Sequence, residues 1–120
     1  MEPEWIVPGV QWQRVGSRVT CSPPPTDTDE DFLVYDRFFT QRTKLDRAGF
    51  TTEHYGHLDT KFISYRRGDT NVILTANKEF YDKFLFTTRV AKKLNLLKKD
   101  DRITLFEALL DETIDGEYSW

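Results

Sequence analysis

The pattern of apolar and polar positions changes several times along the chain between strand-like and helix-like spacing. Residues 10–20 carry valines and a tryptophan among polar neighbours and predict a first strand that ends near Gly16. Residues 32–35 form an uninterrupted apolar run, which is typical of a strand buried in a sheet. Three consecutive prolines between the two exclude a helix and predict a stiff connector over residues 22–26.

A hairpin is expected later in the chain. Residues 61–67 alternate apolar and polar side chains, residues 70–75 are rich in residues that favour strands, and a Gly-Asp pair between them is typical of a tight turn. Residues 50–57 are compatible with a further strand or with a loop. We therefore expect two paired strands here and leave the third open.

Helical spacing appears in three other stretches. Residues 36–48 predict a helix that Asp36 could cap. A longer helix is expected to begin after the N-cap Asn77 and to reach about residue 97. Its apolar stripe consists of Phe80, Phe84, Thr87 or Thr88, Ala91 and Leu94. A last helix is predicted over about residues 101–111, with Ile103, Phe106 and Leu110 on one face.

Aromatic side chains are common in these helical stretches, and core packing is the usual role of such residues. Six phenylalanines are expected to contribute to the core in this way: Phe38, Phe39, Phe80, Phe84, Phe86 and Phe106.

The order of elements is strand, strand, helix, possible strand, hairpin, helix, helix, and it predicts an α+β domain with a small mixed sheet packed by helices. We interpret residues 1–120 as a single domain, because this length supports one hydrophobic core more readily than two. Residues 1–9 contain two prolines and a glycine and are expected to form an irregular lead-in arm. Residues 112–120 are acidic and are expected to form a loosely ordered tail.

Composition and charge narrow the functional classes. A net charge of -3 argues against a protein that coats nucleic acid through bulk electrostatics. The single cysteine, Cys21, excludes an intrachain disulfide and a cysteine-based zinc site. The sequence lacks a signal-peptide pattern and a run of about 18 apolar residues, so we expect a cytoplasmic protein without a membrane partner.

Three alternating carboxylates precede the second strand. Asp27, Asp29 and Asp31 would all project to one side of an extended backbone. Such a row repels itself and requires a counter-charge, for which a hard cation such as Mg²⁺ is the usual choice. The alternative is a solvated acidic turn, which the row alone does not exclude.

Together with Gly16-Ser17, these carboxylates resemble a family signature. The segments VGSR and DTDEDFLV, separated by VTCSPPPT, are similar to the pattern of the nucleotidyltransferase superfamily related to DNA polymerase β, especially its minimal members. The family pattern is an apolar strand, Gly-Ser or Gly-Gly, a spacer of about ten residues, and two alternating carboxylates before an apolar run. The GSRVTC and proline-aspartate elements also resemble those of small bacteriophage-encoded proteins, whose compartment would be the host cytoplasm.

The resemblance implies a Mg²⁺-dependent transfer of a nucleoside monophosphate from a nucleoside triphosphate to an acceptor, which could be a small molecule, a protein or RNA. It assigns phosphate contacts to Gly16 and Ser17. The carboxylates that hold Mg²⁺ and serve catalysis would be Asp29 with Asp31, or Asp29 with Asp27. Arg18, beside the Gly-Ser pair, and Arg66, near the expected hairpin turn, are further candidates for nucleotide contacts.

In two respects the sequence departs from the family pattern. The family supplies a third carboxylate from a neighbouring strand, whereas the matching position here is Asn71, with Asp69 as a substitute two residues earlier. Both are therefore candidate metal ligands. Only about ten residues precede the first strand, so the core is expected to lack a preceding helix. An alternative function follows: a catalytically degenerate copy of the fold that acts as a phage-encoded binding or inhibitor module for a host protein.

Overall fold

The computed structural model describes residues 2–25, 29–53 and 62–110. Within these ranges the chain forms a five-stranded mixed sheet packed by helices, which confirms the α+β prediction. The strands are β1 (Gln11–Val15), β2 (Glu30–Tyr35), β3 (Thr51–Glu53), β4 (Ile63–Arg67) and β5 (Thr70–Thr75). The helices are α1 (Ser17–Thr20), α2 (Gln41–Arg47), α3 (Lys78–Leu94) and α4 (Lys99–Leu110). The expected acidic tail lies outside the described residues.

The strand order across the sheet is β1-β2-β5-β4-β3. Neighbouring strands are antiparallel except for β2 and β5, which run parallel in the middle of the sheet. The predicted hairpin is confirmed as β4 and β5. Residues 51–53 form the edge strand β3, so the strand interpretation holds for this part, and the rest of that segment from residue 54 lies outside the described residues.

Each face of the sheet carries its own hydrophobic cluster, because successive residues of a strand point to opposite faces. One face is covered by α3 and α4, and its cluster includes Leu33, Ile73 and Phe84. The other face is covered by α2 and the N-terminal arm, and its cluster includes Phe32 and Leu45. Among the described helices, none has both the length and the apolar composition needed to span a bilayer.

Helix α3 begins where the sequence predicts. The side chain of Asn77 accepts a hydrogen bond from the backbone N–H of Phe80 at 3.0 Å, so it is the N-cap. The helix ends at Asn95, which adopts a left-handed conformation with φ of 50°. The expected stripe is buried except at Leu94, which is 57% exposed because it lies in the last turn.

The helix predicted over residues 36–48 is shorter in the structure, where α2 begins only at Gln41. The carboxylate of Asp36 accepts hydrogen bonds from the backbone N–H groups of Phe38 and Gln41 and from the Thr40 hydroxyl. These local bonds favour a turn over a helix in the first residues of the segment. As a result Phe38 is 77% exposed, and the prediction that Phe38 and Phe39 belong to the core is wrong.

Two further details differ from the expectations. Phe86 lies on the outer side of α3 and is 53% exposed, so it is not a core residue. The lead-in arm is irregular, as expected, but Trp5 and Ile6 are buried in the cluster beside α2. The Gln41 side chain fixes the arm there, since it donates to the Trp5 carbonyl and accepts from the Val7 N–H at 2.7 Å.

Candidate active site

The strand register brings together the two halves of the sequence signature. Val15, the last residue of β1, pairs with Asp31 in β2, and Asp31 pairs with Asn71 in β5. Asn71 in turn pairs with Arg66 in β4. Residues paired in this way point to the same face of the sheet, here the face covered by α3 and α4. Because Gly16 directly follows Val15, the Gly-Ser pair lies beside the carboxylate of Asp31.

Gly16 makes a contact with Asp31 that no other residue type could make. A Cβ atom at this position would overlap the Oδ2 atom of Asp31 and lie 2.8 Å from its Cγ. The backbone of Gly16 also has φ of 82°, which side chains other than that of glycine rarely permit. Its carbonyl accepts from the N–H groups of Val19 and Thr20, and these bonds turn the chain into α1, which the sequence did not predict.

Asp31 is a buried carboxyl group with one satisfied oxygen. It is 3% exposed, and its Oδ1 accepts a hydrogen bond from the Asn71 amide at 3.1 Å. Oδ2 has no hydrogen-bond partner among the described residues. Burial raises the pKa of Asp31 to about 7, against the opposing effect of the Asn71 hydrogen bond. At neutral pH this carboxyl therefore exchanges readily between its protonated and ionised forms.

Ser17, the second residue of the Gly-Ser pair, is also fully buried. Its Oγ has no hydrogen-bond partner within the described part of the chain. Buried polar atoms are nearly always hydrogen-bonded, so this hydroxyl and Oδ2 of Asp31 are the two buried side-chain atoms of the described residues at which a water or a ligand would complete the bonding.

Asn71, which the sequence offers as a candidate metal ligand, has an amide of fixed orientation. Its Oδ1 accepts from the hydroxyl of Ser64 at 3.0 Å, while its Nδ2 faces Asp31. Ser64 is buried on β4 and was missed by the sequence reasoning, although it shares a strand face with Arg66 and alternation could have indicated it. In this arrangement the amide oxygen of Asn71 is directed to Ser64.

The remaining predicted residues lie around this centre. Asp29 directly precedes β2 and forms an ion pair with Arg66 at 2.8 Å, with side chains 23% and 29% exposed. Arg18 is exposed on α1, and its charge lowers the pKa of Asp31 slightly. Asp69 lies exposed in the turn before β5, where its carbonyl accepts from the backbone of Glu30 at 2.9 Å. Asp27 lies outside the described residues.

The donors present here suit a hard cation. Asp29 and Asp31 supply carboxylate oxygens, of which the buried Oδ2 is unpartnered, and oxygen ligands of this type are those that Mg²⁺ prefers. Asp29 already attracts the positive charge of Arg66. In the described residues these two carboxylates are not joined by further histidine, cysteine or acidic side chains into a group of three. Two carboxylates, one of them paired with Arg66, are therefore the acidic groups that this centre offers to a cation.

A surface pocket lies elsewhere in the molecule. It is formed between the arm and α2, with a lining that includes Glu4, Trp5, Lys44 and Arg47. Trp5 belongs to the cluster on the face opposite to Asp31. We base the functional interpretation on the carboxylates and the Gly-Ser pair, because the pocket lacks buried, unpartnered polar groups of the kind found at Ser17 and Asp31.

The chain was compared with protein-family models, with curated proteins and with solved structures, and none of the three comparisons found a match.

Proposed function

We propose that this protein is a nucleotidyltransferase, which transfers a nucleoside monophosphate from a nucleoside triphosphate to an acceptor with the help of Mg²⁺. The observation that supports this proposal is the contact between Gly16 and the carboxylate of Asp31. It joins two sequence elements that are 15 residues apart, as the family signature requires. Each element carries a buried oxygen without a partner, Oγ of Ser17 in one and Oδ2 of Asp31 in the other.

Each residue of the site has a role in this proposal. The Ser17 hydroxyl would donate a hydrogen bond to a phosphate oxygen, and the absence of a side chain at Gly16 lets the Asp31 carboxylate approach the backbone next to Ser17. Asp29 and Asp31 would hold Mg²⁺, with Asp31 contributing its unpartnered Oδ2. Asn71 would hold the other oxygen of Asp31 through its amide, and Ser64 would keep that amide in orientation.

The reaction requires little covalent chemistry from the protein. An acceptor hydroxyl would form a bond to the α-phosphorus and release its proton to the solvent, while the bond from the α-phosphorus to the bridging oxygen would break and pyrophosphate would leave with that electron pair. When bound, Mg²⁺ would neutralise the charge that develops on the phosphate oxygens. The protein would position the triphosphate by Ser17 and by positively charged side chains such as Arg18 and Arg66.

A second candidate is a degenerate copy of the fold that binds a partner, such as a host protein, without catalysis. The presence of Asn71 in place of the third carboxylate favours it, because an amide carries no charge and cannot act as a base. In this case binding would not depend on the carboxylates.

The two functions are separated by an assay with α-labelled nucleoside triphosphates and Mg²⁺. We expect labelled product from the wild-type protein, loss of at least about 100-fold in Asp29→Ala and Asp31→Ala, and normal activity in the control Asp82→Ala. Asp82 is an exposed carboxylate of α3, far in sequence from the site. The same samples are compared for melting temperature with and without Mg²⁺ and ATP, because a ligand of the native state must stabilise it.

Absence of both transfer and metal-dependent nucleotide binding would overturn the enzymatic function. Capture of a partner protein without metal or nucleotide, retained when Asp27, Asp29 and Asp31 are all replaced by alanine, would support the second candidate.

A further inference from the structure

Arg66 is placed by the sheet so that its charge reaches the candidate site. It pairs with Asn71, which pairs with Asp31, so the three side chains lie in one row on the same face. The guanidinium extends along this row to Asp29, and its Nη1 lies 2.8 Å from Oδ2 of that carboxylate. The ion pair is thus formed by side chains that the strand register brings together.

The two carboxylates of the site differ in their counter-charges. Asp29 and Asp31 are two residues apart, about 7 Å along an extended chain, and their negative charges oppose each other. Asp29 forms an ion pair with Arg66, whereas Arg66 acts on Asp31 only through its charge; Asp31 accepts its hydrogen bond from a neutral amide and keeps a buried oxygen without a partner. That oxygen is the independent indication that a ligand belongs beside the pair.

A divalent cation bound to Asp29 would lie close to the Arg66 guanidinium, and the two positive charges would repel each other. We infer that Arg66 is an exchangeable counter-ion of Asp29, which a divalent cation displaces and which then binds the phosphates of the nucleotide. This inference rests on the proposed function. Arg66 then couples the binding of the divalent cation to that of the nucleotide. Its charge weakens cation binding when the nucleotide is absent, and its phosphate contact stabilises the complex when both are bound.

The neighbouring arginine provides a matched control. Arg67 points to the opposite face of β4, where it donates to the carbonyl of Ala48 at 2.9 Å and lies 4.6 Å from the ring centre of Phe50. It also lies 3.6 Å from the carboxylate of Glu4. Replacing Arg67 therefore changes the net charge by the same amount as replacing Arg66, but on the other side of the sheet.

The first measurement is binding of Mn²⁺ alone, followed by the loss of the free-ion spin-resonance signal. We expect Arg66→Gln to bind Mn²⁺ about tenfold more tightly than the wild-type protein, because the competing charge is gone. Arg67→Gln should match the wild-type protein to within about twofold. Arg66→Met, which keeps the apolar stem and suits a strand, tests the same point if the glutamine variant does not fold.

The second measurement adds a non-hydrolysable α,β-methylene analogue of ATP to the Mn²⁺-loaded proteins. Here Arg66→Gln should bind the analogue about tenfold more weakly, because a phosphate contact is lost. One substitution would therefore change the two affinities in opposite directions. A general loosening of the structure would weaken both, so it would not produce this result.

The outcomes also separate the inference from the function on which it rests. If wild-type and both Arg66 variants bind Mn²⁺ equally, or if Arg67→Gln gives the same gain, Arg66 is not an exchangeable counter-ion, although the metal site remains. Equal binding of the analogue by wild-type protein and Arg66 variants would exclude the proposed contact of Arg66 with the nucleotide phosphates. If none of the proteins binds Mn²⁺, the metal-dependent function itself fails.

Discussion

The two halves of the candidate site meet at Gly16 and Asp31. The glycine is needed twice at this position, once for its positive φ and once because its missing side chain leaves room for a carboxylate. A single methyl group added at this position would therefore strain the backbone and displace the Asp31 side chain at the same time.

We expect Gly16→Ala to destabilise the protein by about 3 kcal/mol or more, since it adds a steric clash to the strain of an alanine at positive φ. Urea unfolding measures the change. Gly9→Ala is the control, because Gly9 has a similar φ of 93° but open space around its Cβ position. It should cost only about 1 kcal/mol, from strain alone. Equal losses in the two variants would contradict the contact.

Asp31 makes the stability of the metal-free protein depend on pH. Its pKa is about 7 in the folded protein, raised by burial from 3.8, so the folded state holds this proton more tightly than the unfolded state does. The stabilisation is complete below about pH 4 and is lost as pH rises to about 7, at on the order of 1 kcal/mol per pH unit. Above that range the contribution is constant.

Asp31→Asn should remove this dependence, because the asparagine oxygen can still accept from Asn71 while no proton is exchanged. In EDTA, the free energy of unfolding of Asp31→Asn relative to wild-type protein should therefore increase between pH 5 and pH 8. Asp82→Asn, at an exposed carboxylate of α3, provides the comparison and should keep the slope of the wild-type protein. A constant difference between Asp31→Asn and wild-type protein over this range would show that the buried carboxyl does not titrate there.

At the scale of elements, the start of α2 shows the limit of periodicity. Residues 36–48 have helical spacing, but the Asp36 carboxylate bonds to backbone groups within the next five residues and delays the helix. Spacing alone does not show this competition, because it depends on one side chain and its local geometry. The cap of α3 was predictable for the opposite reason, since Asn77 and the apolar stripe both favour the same helix start.

This difference leads to a test with two phenylalanines that the sequence pattern treats alike. Phe38→Ser should change the free energy of unfolding by less than about 0.5 kcal/mol, because the ring is mostly exposed. Phe84→Ser, in the middle of α3 and fully buried, should cost at least about 3 kcal/mol. Denaturant unfolding measures both. A large loss in Phe38→Ser would place that ring in the core after all.

At the scale of the molecule, the sequence predicts the elements better than their arrangement. Its patterns indicate the hairpin and the long helix, since these depend on neighbouring residues. The parallel pairing of β2 with β5 could not be predicted, because two strands so far apart in the chain leave no local signal of their register. The same limit applies to the site. Gly16 and the aspartates were visible as a motif, whereas the bonds from Ser64 to Asn71 and from Arg66 to Asp29 depend on that register.

The insertion of β5 between β2 and β4 also determines when the site can form. Asn71 and Asp31 are 40 residues apart, so the side-chain hydrogen bond between them forms only after the chain has closed that loop. Contacts over such distances are slow to form compared with those of a hairpin or a helix. During synthesis, a chain that ends before β5 contains the complete Gly-Ser and aspartate motif, but it cannot form the row of Asp31, Asn71 and Arg66 across the sheet. Binding at this site would therefore be acquired late, together with the completed sheet.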